Sequence, residues 1–428
     1  MLNDLFVVRC ARYPGKDIIR RFSSADQNFG LCGRSLAKES TSFKRSAIFL
    51  GVATFFYWAS LYVYVPILPV YAQRLGASMT MVGVVLGAYG ATQLILRIPL
   101  GLWSDSVGRR RPFVAAGFLG AALGAAGLAL APNAWLLSVG RGLTGVGAAA
   151  WVAIAVLFAS YFAPQDVHRA IGILNFVLGL SQAFFSGVGG FIAEEWGWVA
   201  PFWVGGALGL LGLLCLVGVG EGPRLQSRPP TWALFWRVGT VPLLITASLL
   251  ACVGTFTTFT TSFGFIPVYG AKINASKADL GVIITVFSLS YSVAALSAAW
   301  LAHRLGSRGI VVLGLMVLGI TSMVVPLIGT VPLLTLSQLA SGVGRGLQYP
   351  LLMGLSLQAV PPEERATAMG VFQAVYSLGM FAGPWLGGVL ADAFGLESVF
   401  TFSGLVCLLS ALGGWWMLPQ RFPQGVKS

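Results

Sequence analysis

Three arginines, Arg97, Arg141 and Arg345, stand inside long apolar stretches, while none of the fourteen acidic residues falls at the centre of one. Insertion scales put the cost of an Arg at the middle of a spanning helix at about 2.5–3.5 kcal/mol, so such a group needs a partner or a wet cavity. Fixed positive charge without a carboxylate beside it favours an anionic or carboxylate-bearing ligand over a cationic one. Arg97 lies near the end of its apolar run, close enough to snorkel to the interface. For Arg345 two roles stay open: contact with a ligand, or a structural bond to an ion partner or to backbone carbonyls.

The stretch GLWSDSVGRRRPF, residues 101–113, breaks an apolar run with one acid and three consecutive Arg. Gly101 lets a helix end approach its neighbour, and Gly108 permits a tight turn. Asp105 can accept from a helix N-terminus or from an Arg, and Arg109 and Arg110 supply the opposite charge. A loop that only sets membrane orientation needs basic residues. It does not need the fixed spacing of Asp and Gly, which favours a latch.

Polar side chains recur at helical spacing and outline a cavity wall. One stripe holds Asn175, Gly179, Gln182 and Ser186, and another Gln338, Ser341, Arg345 and Gln348. A third holds Thr285, Ser288 and Ser292 with Tyr291 adjacent, and a fourth Gln373 and Ser377. The cluster TFTTFTTS from Thr255 adds Thr257, Thr258 and Thr261, and FFYWASLYVY from Phe55 adds Trp58 and Tyr62. Each type also has a plainer use, since hydroxyls bond their own helix backbone and aromatics pack.

Other chemistries find no support. The five cysteines (Cys10, Cys32, Cys215, Cys252, Cys407) have no paired spacing, and His168 and His303 fall in predicted loops. No metal site, disulfide framework or cofactor is implied. A membrane-embedded enzyme, the remote alternative, would need a clustered nucleophile, metal ligands or an acid pair. Nor does the chain carry a Walker-type phosphate loop or a filter-like loop.

Membrane helices must position these groups. Of 428 residues, 56% are hydrophobic and only 10% charged, with mean hydropathy +0.81; soluble proteins carry about 25% charged residues. Apolar runs of about 20 residues place twelve spans near 47–71, 81–103, 112–131, 134–160, 170–193, 198–219, 239–269, 279–302, 309–329, 333–359, 367–391 and 397–418. The fold expected is an all-α polytopic membrane protein. A net charge of +13 does not mark nucleic-acid binding, because the basic residues sit in short loops and the N-terminal tail. With the N-terminus inside, inner segments hold 21 Lys and Arg against three in the outer loops, Arg74, Lys272 and Lys277. Both termini are therefore expected on the cytoplasmic side of a plasma (inner) membrane. Residues 1–46 read as a flexible cytoplasmic tail, 221–238 as a Pro- and Arg-rich linker and 419–428 as a cytoplasmic C-terminal tail.

Residues 47–220 and 239–418 read as two copies of one six-helix unit. LPVY at 68–71 recurs as IPVY at 266–269, and GGFIAEEWG at 189–197 as GGVLADAFG at 387–395, both at an offset of 198. The same offset carries Gly83 to Gly281 and Gly108 to Gly306. Such halves place substrate near the bilayer midplane at their interface.

The 101–113 loop resembles the loop 2–3 signature of the major facilitator superfamily, and RGLTGVGAAA at 141–150 resembles its helix-4 Arg motif. With the repeat, the likeness covers about residues 47–418. GLQYPLLMG and PPEERATAMGVFQAVYSLG in the second half are most similar to the drug:proton antiporter-like exporters. The resemblance implies two parallel pseudo-symmetric halves acting as a monomer, secondary active transport by alternating access, and proton-coupled export of a small organic compound. It implies that Gly101, Asp105, Gly108, Arg109 and Arg110 latch a cytoplasmic gate and that Arg141 serves proton coupling. With no acid at the centre of a span, coupling would use Asp105 with Arg141, or else Glu194, Glu195 and Asp392 near the outer ends. Ser106 replaces the basic residue usual after the Asp, and His303 stands where a second Asp105 would. The exporters' helix-5 Gly-Pro signature is missing from SQAFFSGVGG at 181–190. It stands instead in GMFAGPWLGG at 379–388, where Gly379, Gly383, Pro384, Gly387 and Gly388 also suit close helix packing. An uptake symporter or uniporter for a metabolite is the alternative.

Overall fold

The computed structural model describes residues 27–162, 166–222, 232–361 and 364–420, without the side chains of 27–42 and of several others, Asp105 and His168 included. Ten helices are long and apolar enough to cross a membrane by length and composition. Residues 46–74 and the helix Val331–Gln358 complete the twelve expected spans.

Span 1 is the latter part of Gln27–Tyr62 followed, after a turn, by Leu68–Arg74; span 2 is Met79–Val107 and span 3 Arg111–Ala129. Span 4 joins Ala134–Ala149 to Trp151–Ala159, span 5 is Val167–Trp196 and span 6 Ala200–Cys215. Span 7 runs Pro242–Thr260, Thr261–Phe265 and Ile266–Lys272, span 8 is Lys277–Leu305 and span 9 Ser307–Val324. Val331–Gln358, Arg365–Phe394 and Leu396–Met417 are spans 10 to 12. The first helix starts at Gln27, so part of the tail expected at 1–46 is ordered helix, and Trp232–Gly239 adds a short helix at the end of the expected linker. Residues 1–26, 223–231 and 421–428 lie outside the described residues. An even number of crossings puts the linker and the final residues of span 12 on one face of the bundle, termed the linker face.

Backbone geometry repeats as the sequence does. Among the described residues, those with positive φ are Gly76 and Asn274, Gly108 and Gly306, and Gly197 and Gly395, three pairs at the 198-residue offset. Each ends or joins helices where an L side chain is strained, which explains five glycines and one Asn. Local caps start the helices: Ser78 Oγ accepts from Met81 N at 3.2 Å, Asn133 Oδ1 from Leu136 N at 3.0 Å, and Ser276 forms a capping box with Asp279.

Two spans are broken at matching depths. In span 1 the helix gives way to turns at 63–67, where Pro66 has no N–H and Ile67 gives its own to Tyr64 O at 3.2 Å. In span 7 the matching residues, Thr261–Phe265, widen into one π-helical turn. Irregular backbone at membrane depth persists only when buried in protein or facing a cavity, and here both breaks face the junction of the halves.

Span 2 packs on span 11 and span 5 on span 8, which joins the halves. A Cβ on Gly83 would lie 2.2 Å from Pro384 O, and one on Gly388 2.3 Å from Met79 O. A Cβ on Gly190 would lie 2.6 Å from Lys277 O, so backbone meets backbone along both seams. Large apolar side chains such as Leu296, Trp416 and Val139 are exposed on the outer surface, as a hydrocarbon solvent requires.

Candidate functional site

The two backbone breaks and Arg141 enclose a recess lined by Tyr62, Val65, Leu68, Leu86, Arg141, Phe259 and Phe263. Tyr62 meets Phe263 across the halves with ring centroids 6.0 Å apart, and Trp58 packs on Tyr62 at 5.8 Å. Arg141 is buried, its guanidinium 4.2 Å from the centre of the Tyr89 ring and 5.8 Å from that of Tyr64. Among the described residues its side-chain bond is a long one, to Thr144 Oγ1 at 3.5 Å, and Nε is buried without a partner there. The charge is thus held by ring faces, which stabilise a desolvated cation by about 2 kcal/mol without neutralising it.

A second arginine group stands in the other half. Arg345 Nη2 donates to Thr255 Oγ1 at 2.8 Å, and its guanidinium lies 4.4 Å from the Tyr349 ring centre. Nη1 is buried with no partner, and so are both amide atoms of Gln348 one turn away. Span 7 allows this approach because it has no side chain at Gly254, where a Cβ would meet Gln348 Nε2 at 2.3 Å. Buried donors are normally satisfied, so three adjacent unpartnered polar atoms mark a place that could take a polar ligand.

Arg97 corrects the sequence reading. It does not snorkel: it is 5% exposed and reaches span 11, where Nη1 donates to Tyr376 Oη at 2.7 Å. Nη2 donates to Gln93 Oε1 at 2.8 Å. Tyr376 in turn meets Tyr349 at 6.0 Å between centroids, so Arg97, Tyr376, Tyr349 and Arg345 form a chain of cation–ring and ring–ring contacts across the halves. In sequence Tyr349 and Tyr376 are indistinguishable from packing aromatics. Their spacing from Arg345 and Gln373, four and three residues, was the available signal.

Other expected wall residues scatter. Gln182 is buried on span 5, whereas Asn175 is exposed and donates to Ile171 O at 2.9 Å. Thr258 and Thr261 donate to Gly254 O and Thr257 O at 2.8 Å, the ordinary use of a helix hydroxyl. Thr257 faces span 12 through Ser403 O at 3.4 Å, while Thr255, expected only as the first of the cluster, is the one beside Arg345. Tyr291 is half-buried on span 8, where a Cβ on Gly346 of span 10 would meet its carbonyl at 2.5 Å. Gln373 is half-buried, with Oε1 unpartnered. In span 11, Gly379 and Gly383 approach span 7, Gly387 lies between spans 7 and 12, and Gly388 and Pro384 meet span 2.

At the linker face, Gly108 ends span 2 in the left-handed region at φ 65° and gives its N–H to Ser104 O. Gly101 has only Val152 within 4 Å of where a Cβ would be. Arg109 is exposed and Arg110 buried. The Asp105 side chain lies outside what the structure describes. The acid seen at work there is Glu221, which accepts from Arg110 N at 3.2 Å and Arg111 N at 2.9 Å and so caps span 3. Beside it, Tyr161 donates to Gly220 O, and burial, then the Glu221 charge, pushes the Tyr161 hydroxyl up from its ordinary pKa.

Among the described side chains no Asp or Glu is buried, and no group of three or more His, Cys, Asp or Glu could hold a metal ion. The three buried guanidiniums within the spans, those of Arg97, Arg141 and Arg345, therefore lack a buried counter-charge from the described side chains.

The family model of the Major Facilitator Superfamily matches residues 50–273 and again 249–428. The human MFS-type transporter SLC18B1 is 27% identical over 395 residues, covering 85% of this chain and 84% of that protein. The quinolone resistance protein NorA of Staphylococcus aureus is 26% identical over 145 residues, 34% of this chain and 37% of its own length. Among solved structures, a bacterial homologue of the human lysosomal transporter Spinster, inward-facing and unoccupied, superposes with TM-score 0.76 at 16% identity, over 90% of this chain and 99% of that one.

Proposed function

The chain belongs to the Major Facilitator Superfamily and is a membrane transporter, and we propose that it exports a small organic anion by alternating access, in exchange for protons. The observation that carries this reading is the excess of buried positive charge. Arg97, Arg141 and Arg345 are each at most 7% exposed with no buried carboxylate among the described residues. Desolvating an ion costs several kcal/mol unless a counter-charge restores it, and a carboxylate on the substrate would supply that charge during each cycle. Unpartnered donors on Arg345 and Gln348 suit a carboxylate, and the Tyr62–Phe263 recess suits an apolar body.

The linker face is then cytoplasmic, since it carries most of the basic loop residues. Arg141 is the coupling residue, and Asp105 with Gly108, Arg109 and Arg110 closes the cytoplasmic gate. Likeness to a quinolone resistance protein over a third of the chain supports the direction, since resistance is served by removing a compound from the cell; the missing Gly-Pro in span 5 favours uptake as the second reading. Asp105→Asn is expected to slow transport at least tenfold while membrane insertion and expression stay near wild type, measured as flux per folded transporter. Equal flux would remove Asp105 from the gate.

Comparing metabolites in medium and cytoplasm, with and without the gene, tests the function without presuming a substrate. Export predicts that carboxylate-bearing compounds fall in the medium and rise in the cytoplasm when the gene is deleted. The opposite redistribution would establish uptake.

A further inference from the structure

The repeat places one acid at the end of span 5 and one at the end of span 11, Glu194 and Asp392, 198 residues apart. Both act across the halves. Asp392 Oδ1 accepts from Met79 N at 3.0 Å and Oδ2 from Thr80 N at 2.8 Å, the first two N–H groups of span 2. Glu194 Oε2 accepts from Lys277 N at 2.9 Å, the first of span 8, and Lys277 Nζ donates back to Ala193 O at 2.7 Å. Met79 and Lys277 are themselves a repeat pair. Each half thus caps the other's helix with a carboxylate, and the bonds obey the same two-fold relation as the sequence.

Local need does not explain these acids. Span 2 already has Ser78 as a cap and span 8 its own Ser276–Asp279 box. The added carboxylates satisfy further orphan N–H groups, but only while the halves are together. Glycine makes the contact possible at each place: Gly388 lies against Met79 and Thr80, and Gly190 against Lys277 and Gly281. Asp392 and Glu194 are solvent-exposed, so both the acids and the freed helix ends are hydrated when the seam parts. A bond that water can replace is reversible, which a gate requires.

We propose that Glu194 and Asp392 form a reciprocal double latch that holds the face opposite the linker closed, and that its release sets how often the cavity opens there. This rests on the alternating-access reading above. A capping interaction is worth roughly a fivefold shift in equilibrium, so independent latches predict about a fivefold gain of open population for Glu194→Ala or Asp392→Ala and about twenty-five-fold for both.

Spin labels on the full-length protein in nanodiscs read this out. In a background without native cysteines, Leu130→Cys and Leu327→Cys report the latched face, and Trp103→Cys and Trp300→Cys the linker face; all four native side chains are exposed. The double variant should populate a longer 130–327 distance, with Glu397→Ala, an acid on the same face that pairs with Lys272 of its own half, as the control. A 130–327 distribution unchanged in a double variant of wild-type melting temperature, or an equal shift from Glu397→Ala, overturns the latch. Lengthening at 130–327 without shortening at 103–300 keeps the latch and contradicts alternating access.

Discussion

Arg345→Gln is expected to lower carriage of an anionic substrate ten- to hundredfold, while Arg345→Lys keeps a substantial part of it. The range follows from one hydrogen bond to a charged group, about 1.5–3 kcal/mol, at 1.4 kcal/mol per decade. Gln at 345 can still donate to Thr255 but brings no charge to the place where Arg345 Nη1 and both amide atoms of Gln348 stand unpartnered. Lys restores the charge, yet loses the planar stacking on Tyr349 and the forked donor set, so its defect should lie in apparent affinity more than in maximal rate. The readout is initial flux against substrate concentration in proteoliposomes with equal amounts of folded protein. Unaltered flux in both variants would make Arg345 a structural residue and leave the anion reading without its main support.

The second large effect is steric. Gly189→Ala should destabilise the protein by about 3 kcal/mol or more, the upper range for forcing atoms into a packed interior, and lower its melting temperature in detergent accordingly. A Cβ at 189 would sit 1.5 Å from Val63 O, in the break of span 1. The neighbour is backbone, held on one side by Val63 N donating to Ala59 O at 3.0 Å, so neither partner yields by rotating a side chain. Gly387, the repeat mate, meets side chains of Thr260 and Phe265 instead, at 2.6 and 3.0 Å. Gly387→Ala should therefore be milder. Equal losses in the two variants would show that the span 1 break gives way more easily than its geometry indicates.

Architecture was legible in the sequence because a bilayer tests each span by length and hydropathy, and because the 198-residue repeat constrains loops as well as helices. The pairing of Gly76 with Asn274 in the left-handed region shows how far that symmetry extends into the backbone. Interior placement was harder to read. Thr255, Thr257 and Thr258 are close in sequence, but only Thr255 meets Arg345, since helical rotation turns Thr257 towards Ser403. Hydroxyls carry no hydropathy signal strong enough to separate those faces. Arg97 was misplaced for a related reason. Distance from the helix end suggested snorkelling, whereas its partner Tyr376 lies 279 residues away in sequence. Glu194 and Asp392 stood in the repeat from the start, yet their use as caps depends on which halves meet, which composition does not record.

The most direct test of the account is proton movement in everted membrane vesicles energised to an acid interior and followed with a pH-sensitive dye. Proton-coupled export of an anion requires that small carboxylates added outside, at what was the cytoplasmic surface, discharge the gradient in vesicles carrying the wild-type protein and fail to do so with Arg345→Gln. Discharge by organic cations alone, or equal discharge by carboxylates in both vesicle preparations, would contradict it.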